Sequence, residues 1–153
     1  PTAEFNFFAD PDAAKRVLAS TGSVVLIPLD VTHRVGMPEA EIVARLAHEA
    51  TERTRFFEQA TQAVVDFGKR MGGYEGLFLH DPTAVAFVLR PDLFGVETIF
   101  ADVEVEGALT TGQLVVDGRE VAETERKGFP TRVAIEVDAG SILRLFEERV
   151  FGD

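Results

Sequence analysis

The chain has no cysteine and no tryptophan, and its only tyrosine is Tyr74. Without Cys, disulfides and thiol catalysis are excluded, and a cytoplasmic location is expected. Basic residues are few: 15 Lys and Arg stand against 26 Asp and Glu, for a net charge of −11. A nucleic-acid surface needs clustered Lys and Arg against phosphate, so no nucleic-acid partner is expected. The acidity reads as a soluble, self-repelling surface. No apolar run approaches the ~20 residues that span a bilayer, and no membrane partner is expected. Pro1-Thr2-Ala3-Glu4 is neither basic nor followed by a long apolar region, so no secretory signal is read. No Gly-x-x-x-x-Gly-Lys-Ser/Thr phosphate loop occurs. The three histidines, at 33, 48 and 80, do not form a zinc spacing. Internal repeats, low-complexity segments and linkers are absent as well.

What is present is a chain of 153 residues, 46% of them hydrophobic. That is enough for a sizeable core, and a single α/β domain over residues 1–153 is the expectation. Asp10-Pro11-Asp12 is a helix start: Asp10 caps, Pro11 suits the first turn, and Asp12 favours the positive end of the dipole. Ala13, Ala14, Val17 and Leu18 give that helix its apolar face, and Thr21-Gly22-Ser23 ends it. Val24 to Leu29 is a continuous apolar run, the pattern of a strand covered on both faces, with Pro28 at its end. Pro38-Glu39-Ala40-Glu41 opens a helix with Ile42, Val43, Leu46, Ala47 and Ala50 as its buried stripe. Another helix runs from about Thr54 to Met71, with Phe57, Ala60, Val64 and Phe67 or Gly68 on one side, until Gly72-Gly73.

Leu77 to Leu79 is short and apolar. Asp81-Pro82 repeats the capping device before a mostly buried helix containing Ala84, Val85, Phe87, Val88 and Leu89, which Arg90-Pro91 ends. Glu97 to Glu106 alternates as a half-buried strand. Gln113 to Val116 and Arg132 to Val137 are further strands, with a turn at Asp117-Gly118. Ser141 to Val150 is a closing amphipathic helix.

Three polar clusters carry the candidate chemistry. In Gly76-Leu77-Phe78-Leu79-His80-Asp81-Pro82, a titratable His and a carboxylate meet at a helix start. The dipeptide alone reads first as an N-cap, Asp81 before Pro82, beside a partly buried His80 at a loop edge. At Glu4-Phe5-Asn6, alternation along an extended segment puts Glu4 and Asn6 on one face, which reads as an exposed terminal strand with its polar residues toward water. In Pro28-Leu29-Asp30-Val31-Thr32, Asp30 and Thr32 read as capping or turn residues, and His33 and His48 as surface or packing residues. The Asp102, Glu104 and Glu106 stripe reads as a solvated strand face.

Together these segments resemble the inosine–uridine-preferring nucleoside hydrolase family. The pattern apolar-x-His-Asp-Pro-x-x-Val-Ala at His80 carries the resemblance. So do Glu4-Phe5-Asn6 running on through Phe8-Ala9-Asp10-Pro11-Asp12-Ala13-Ala14, Leu29-Asp30-Val31-Thr32, and the Thr110-Thr111-Gly112 turn. The match is to the family's C-terminal half, and its Asp-x-Asp-x-Gly-x-Asp-Asp calcium signature is nowhere in this chain.

The resemblance implies an open, mostly parallel α/β sheet with flanking helices, in shortened form. It implies hydrolysis of the N-glycosidic bond of ribonucleosides, giving ribose and base. It makes His80 the proton donor to the leaving base, Asp81 a Ca²⁺ ligand, and Glu4 and Asn6 holders of the ribose hydroxyls. Tyr74, with Phe67 and Arg70, borders the base, although packing suits Phe67 better. Calcium is the cofactor of the complete enzyme. One carboxylate does not satisfy an ion that takes six to eight oxygens, so weak or no calcium binding is expected of this chain alone. The general base and an upstream ribose-binding Asn are expected to lie outside it. The expected partners are a nucleoside or ribose, and either the missing N-terminal half or a second copy, meeting Glu4 to Phe8 and Val24 to Leu29. The alternatives are a non-catalytic nucleoside- or ribose-binding remnant and a structural interaction module.

Overall fold

The Asp10 carboxylate accepts the Ala13 amide at 2.9 Å and starts α2 (Pro11–Leu18), with Pro11 in the first turn. This is the capping that the Asp-Pro-Asp signal predicts. In the computed structural model the chain is described over residues 2–20, 23–48, 51–70 and 73–152. The stops expected at Thr21-Gly22 and at Gly72, and the stripe position Ala50, lie outside the described residues. Two compact units form, residues 1–28 with 96–135 and residues 29–95 with 136–153.

The first unit holds α1 (Phe5–Ala9), α2 and a four-stranded sheet. The strands are β1 (Val25–Leu26), β4 (Phe94–Val103), β5 (Leu114–Val116) and β6 (Phe129–Val137), in the order β1-β6-β4-β5. β4 and β6 continue into the second unit at residues 94–95 and 136–137. The sheet is mixed: β1 runs parallel to β6, with Val25 opposite Arg132, and β5 runs antiparallel to β4. Alternation in β4 buries Ala101 and Val103 as expected. Lys15 on α2 reaches Asp102 at 2.7 Å, so one member of the acidic stripe is ion-paired across a half-exposed surface.

The strand expected over Val24–Leu29 is corrected. Only Val25 and Leu26 pair, and residues 24–28 are half-buried rather than covered on both faces. Pro28 has no N–H for the ladder, and Leu29 begins a helical turn. That turn is α3 (Leu29–Thr32), the start of the second unit.

The second unit continues with β2 (Gly36–Pro38), α4 (Glu39–His48), α5 (Glu52–Arg70), β3 (Gly76–Phe78), α6 (His80–Leu89), a 3₁₀ turn (Pro91–Leu93) and α7 (Ala139–Val150). β2 and β3 pair antiparallel, with Gly36 opposite Phe78 and Pro38 opposite Gly76. One core gathers Met37, Ile42, Phe57, Val65 and Phe151; a second gathers Val35, Leu79, Ala86 and Ile142.

Several helix faces differ from expectation: on α4, Ile42 is buried but Val43 and Ala47 of the expected stripe are exposed. On α5 the buried row is Thr54, Phe57 and Val65, which faces Met37 and Ile42. Ala60, Val64 and Phe67 fall on a neighbouring row and are exposed, with Phe56 72% exposed beside them. Phe67 is therefore not a packing residue of this unit. On α6 only Thr83 and Ala86 are buried, while Val85, Val88 and Leu89 are exposed, Val88 at 79%. That helix is apolar on every side, and this unit covers one side of it.

Candidate functional site

Glu4 and Asn6 lie in the first unit, and not on an extended segment. Glu4 has β-region torsions and caps α1: its Oε2 accepts the Asn6 amide at 2.8 Å and the Phe7 amide at 3.3 Å. The Asn6 side-chain amide donates to Glu4 Oε1 at 3.3 Å. A carboxylate at the start of a helical turn satisfies amides that have no partner within the helix, which outweighs the extended alternation. The carboxylate–amide pair is still formed, by this local route. Gly112, at φ +84°, packs beneath it: a Cβ there would lie 2.8 Å from Phe8 Cα and 3.0 Å from Phe7 O. The Thr110-Thr111-Gly112 turn thus seats α1, and the Gly112 amide donates to the Glu104 carbonyl at 2.7 Å.

His80, Asp81 and Tyr74 lie in the second unit. His80 opens α6, whose N-cap is Leu79 and has no side-chain cap, so Asp81 is an exposed first-turn residue rather than the cap. Its carboxylate remains exposed on the surface. His80 Nδ1 is 2.7 Å from Thr32 Oγ1, and Thr32 is 3% exposed. The backbone holds the two together: the Leu79 amide donates to the Val35 carbonyl at 2.9 Å, and the Val35 amide to the Thr32 carbonyl at 3.0 Å. Thr32 is thus no mere turn residue, and His33 joins the same cluster. The His33 ring is 5.3 Å from His80 and 4.7 Å from Phe78, and Phe78 is 5.9 Å from His80.

Tyr74 extends this row. Its ring stacks on Phe78 with centroids 4.3 Å apart and 23° between planes. Gly36 and Gly76 make room for it, since a Cβ on Gly76 would meet the ring at 2.7 Å and would also strike the Met37 carbonyl. Burial, and then the charge of Glu41, raise the Tyr74 phenol above its ordinary value, so it stays protonated at neutral pH. His80 and Asp81 also border a largely apolar groove of about 590 Å³, walled by Phe56, Ala60 and Val64 of α5 and by Phe78 and Pro82. That volume lies within the usual range for small-molecule sites. Arg70 is exposed at the end of α5.

Among the described residues no three His, Asp or Glu side chains gather as a metal site. Among the same residues no helix is long and apolar enough to cross a membrane.

A family model for inosine-uridine preferring nucleoside hydrolases matches residues 1–144. The inosine-uridine preferring nucleoside hydrolase of Leishmania major is 35% identical over 143 residues, covering 90% of this chain and 42% of that protein. The pyrimidine-specific ribonucleoside hydrolase RihA of Escherichia coli O9:H4 is 35% identical over 159 residues, covering 98% of this chain and 47% of its own length. Among solved structures, a purine-preferring ribonucleoside hydrolase from Gardnerella vaginalis superposes with a TM-score of 0.83 at 28% identity, over 98% of this chain and 46% of that one. A plant nucleoside hydrolase, PpNRh1, shares the fold with a TM-score of 0.89 at 22% identity, over 100% of this chain and 49% of its own. The chain belongs to the inosine-uridine preferring nucleoside hydrolase family, and it spans about half the length of the relatives it matches.

Proposed function

We propose that this chain is the C-terminal portion of a ribonucleoside N-ribosyl hydrolase, a single α/β domain that carries part of the substrate site. The observation that bears most weight is His80, held at Nδ1 by a buried hydroxyl and set beside a row of rings and an apolar groove, inside a family match covering residues 1–144. In this reading the departing base lies against that groove, with Tyr74 at its border. His80 gives a proton to the leaving nitrogen, a role that an imidazole commonly fills. Glu4 and Asn6 hold ribose hydroxyls through carboxylate and amide groups.

Calcium, the metal that the family resemblance brings, would find one carboxylate in Asp81 and the rest of its oxygens outside the described residues. No step is drawn through it, and the chain alone is expected to hydrolyse nothing at an enzymatic rate. The native gene product should have an intact mass well above the 16.7 kDa of this chain. It should release ribose from inosine or uridine with millimolar calcium, and His80→Gln should lower that rate by about 10²–10⁴-fold, the usual worth of a general acid. A native mass of 16.7 kDa together with turnover near ~10 s⁻¹ by these residues alone would overturn the reading.

A further inference from the structure

We propose that Thr32 is the positioning residue of His80: its hydroxyl donates to Nδ1, which places the proton of the neutral imidazole on Nε2. Thr32 Oγ1 and His80 Nδ1 are 2.7 Å apart, and Thr32 is 3% exposed. A hydroxyl has a single proton and two lone pairs. Among the described residues, Nδ1 is the only hydrogen-bond partner of Thr32 Oγ1. If Nδ1 carried the proton and donated it, the Thr32 hydroxyl hydrogen would be buried with no acceptor among the described residues, an arrangement that folded proteins avoid. The hydroxyl therefore donates, and the second ring nitrogen carries the hydrogen.

The geometry is fixed from both sides. Thr32 ends α3, and its carbonyl is tied through Val35 to the Leu79 amide, one residue before His80. Phe78 and His33 stand against the imidazole at 5.9 and 5.3 Å and limit its rotation. Its bearing on the reaction rests on the proposed role of His80: with its hydrogen on Nε2, the neutral ring offers a hydrogen bond, not a transferred proton, to the departing base through that nitrogen. The Leu29-Asp30-Val31-Thr32 segment thereby acquires a role, since it carries the orienting hydroxyl.

The test is nitrogen-resolved NMR of the His80 ring in the 153-residue chain, at about pH 8, where histidine is ordinarily neutral. The wild-type chain should show an unprotonated, hydrogen-bonded Nδ1 and a protonated Nε2. Thr32→Ser should keep that pattern. Thr32→Val, which preserves shape and removes the hydroxyl, should shift the Nδ1 signal in the direction expected for loss of the Thr32 hydrogen bond. A protonated Nδ1 in the wild-type chain would overturn the proposal, as would an unchanged Nδ1 signal in Thr32→Val or its loss in Thr32→Ser. Because no turnover is read, the result is independent of the hydrolase assignment. Expected spectra combined with an unimpaired His80→Gln native gene product would overturn the role of His80 and leave that of Thr32 standing.

Discussion

The Glu4–Asn6 pair and the His80 centre are held by opposite means. Glu4 and Asn6 are fixed by bonds within three residues of each other, on a helix of a single turn. His80 is fixed by Thr32, 48 residues away, with the β2–β3 ladder and a buried core behind it. A local device of the first kind opens alone, at little cost to the rest of its unit. A long-range device of the second kind stands only while its unit is folded. Glu4 and Asn6 are thus the locally held, adaptable pair, and His80 is the preorganised residue.

The comparison can be broken at four points, taken by expected loss of stability. Leu79→Ala removes a fully buried side chain from the core directly before His80. It should cost about 2–5 kcal/mol in urea unfolding and release the His80 ring from Thr32. A loss below about 1 kcal/mol with the His80 signals unmoved would show that the centre does not depend on that core.

Gly112→Ala forces a side chain into a left-handed backbone position and against the Phe7–Phe8 backbone. About 1–2 kcal/mol should be lost. Hydrogen exchange should rise over α1 and leave β3 and α6 unchanged; equal loosening of α6 would show that the two regions are not separately held.

Glu4→Ala removes the cap of α1 and should cost about 1 kcal/mol. The loss should be confined to exchange at the Asn6 and Phe7 amides, which the carboxylate caps, with the global unfolding midpoint nearly unmoved. A shifted midpoint would mean that α1 supports the whole unit.

The smallest effect is electrostatic. In the first unit the Arg119 guanidinium and then the Lys127 amide hold Asp117 well below the usual carboxylate range; in the second, the Ser141 hydroxyl and then its amide lower Asp138. A carboxyl depressed in the folded state contributes stability above its unfolded value of about 3.9, and that contribution is lost as pH falls through the folded value. Stability should therefore decline below about pH 4, and Asp117→Asn should flatten the decline in urea midpoints between about pH 6 and 3. An Asn variant with the wild-type slope would assign the acid sensitivity elsewhere.

Short-range signals were the legible ones. Asp10-Pro11 marks a real cap, Arg90-Pro91 ends α6, and the alternation of Ala101 and Val103 names the buried face of β4. Those features are written within three or four residues. The faces of α5 and α6 were not legible, because an apolar residue at helical spacing does not say whether a neighbour exists to cover it. Val64, Phe67, Val85 and Val88 suit burial by type and are exposed. The His80-Asp81 and Glu4-Asn6 motifs located the candidate residues but not their local structure, since Glu4 caps a helix and Asp81 does not. The Thr32–His80 bond was beyond reach: nothing in the spacing of residues 48 apart announces that α3 and α6 meet.

The measurement that bears most directly on the account is ribose release from inosine and uridine by the native gene product and its His80→Gln variant, with millimolar calcium. The account predicts hydrolysis by the first and a rate lower by about 10²–10⁴-fold in the second, with the fold intact. Equal rates for the two proteins would contradict it.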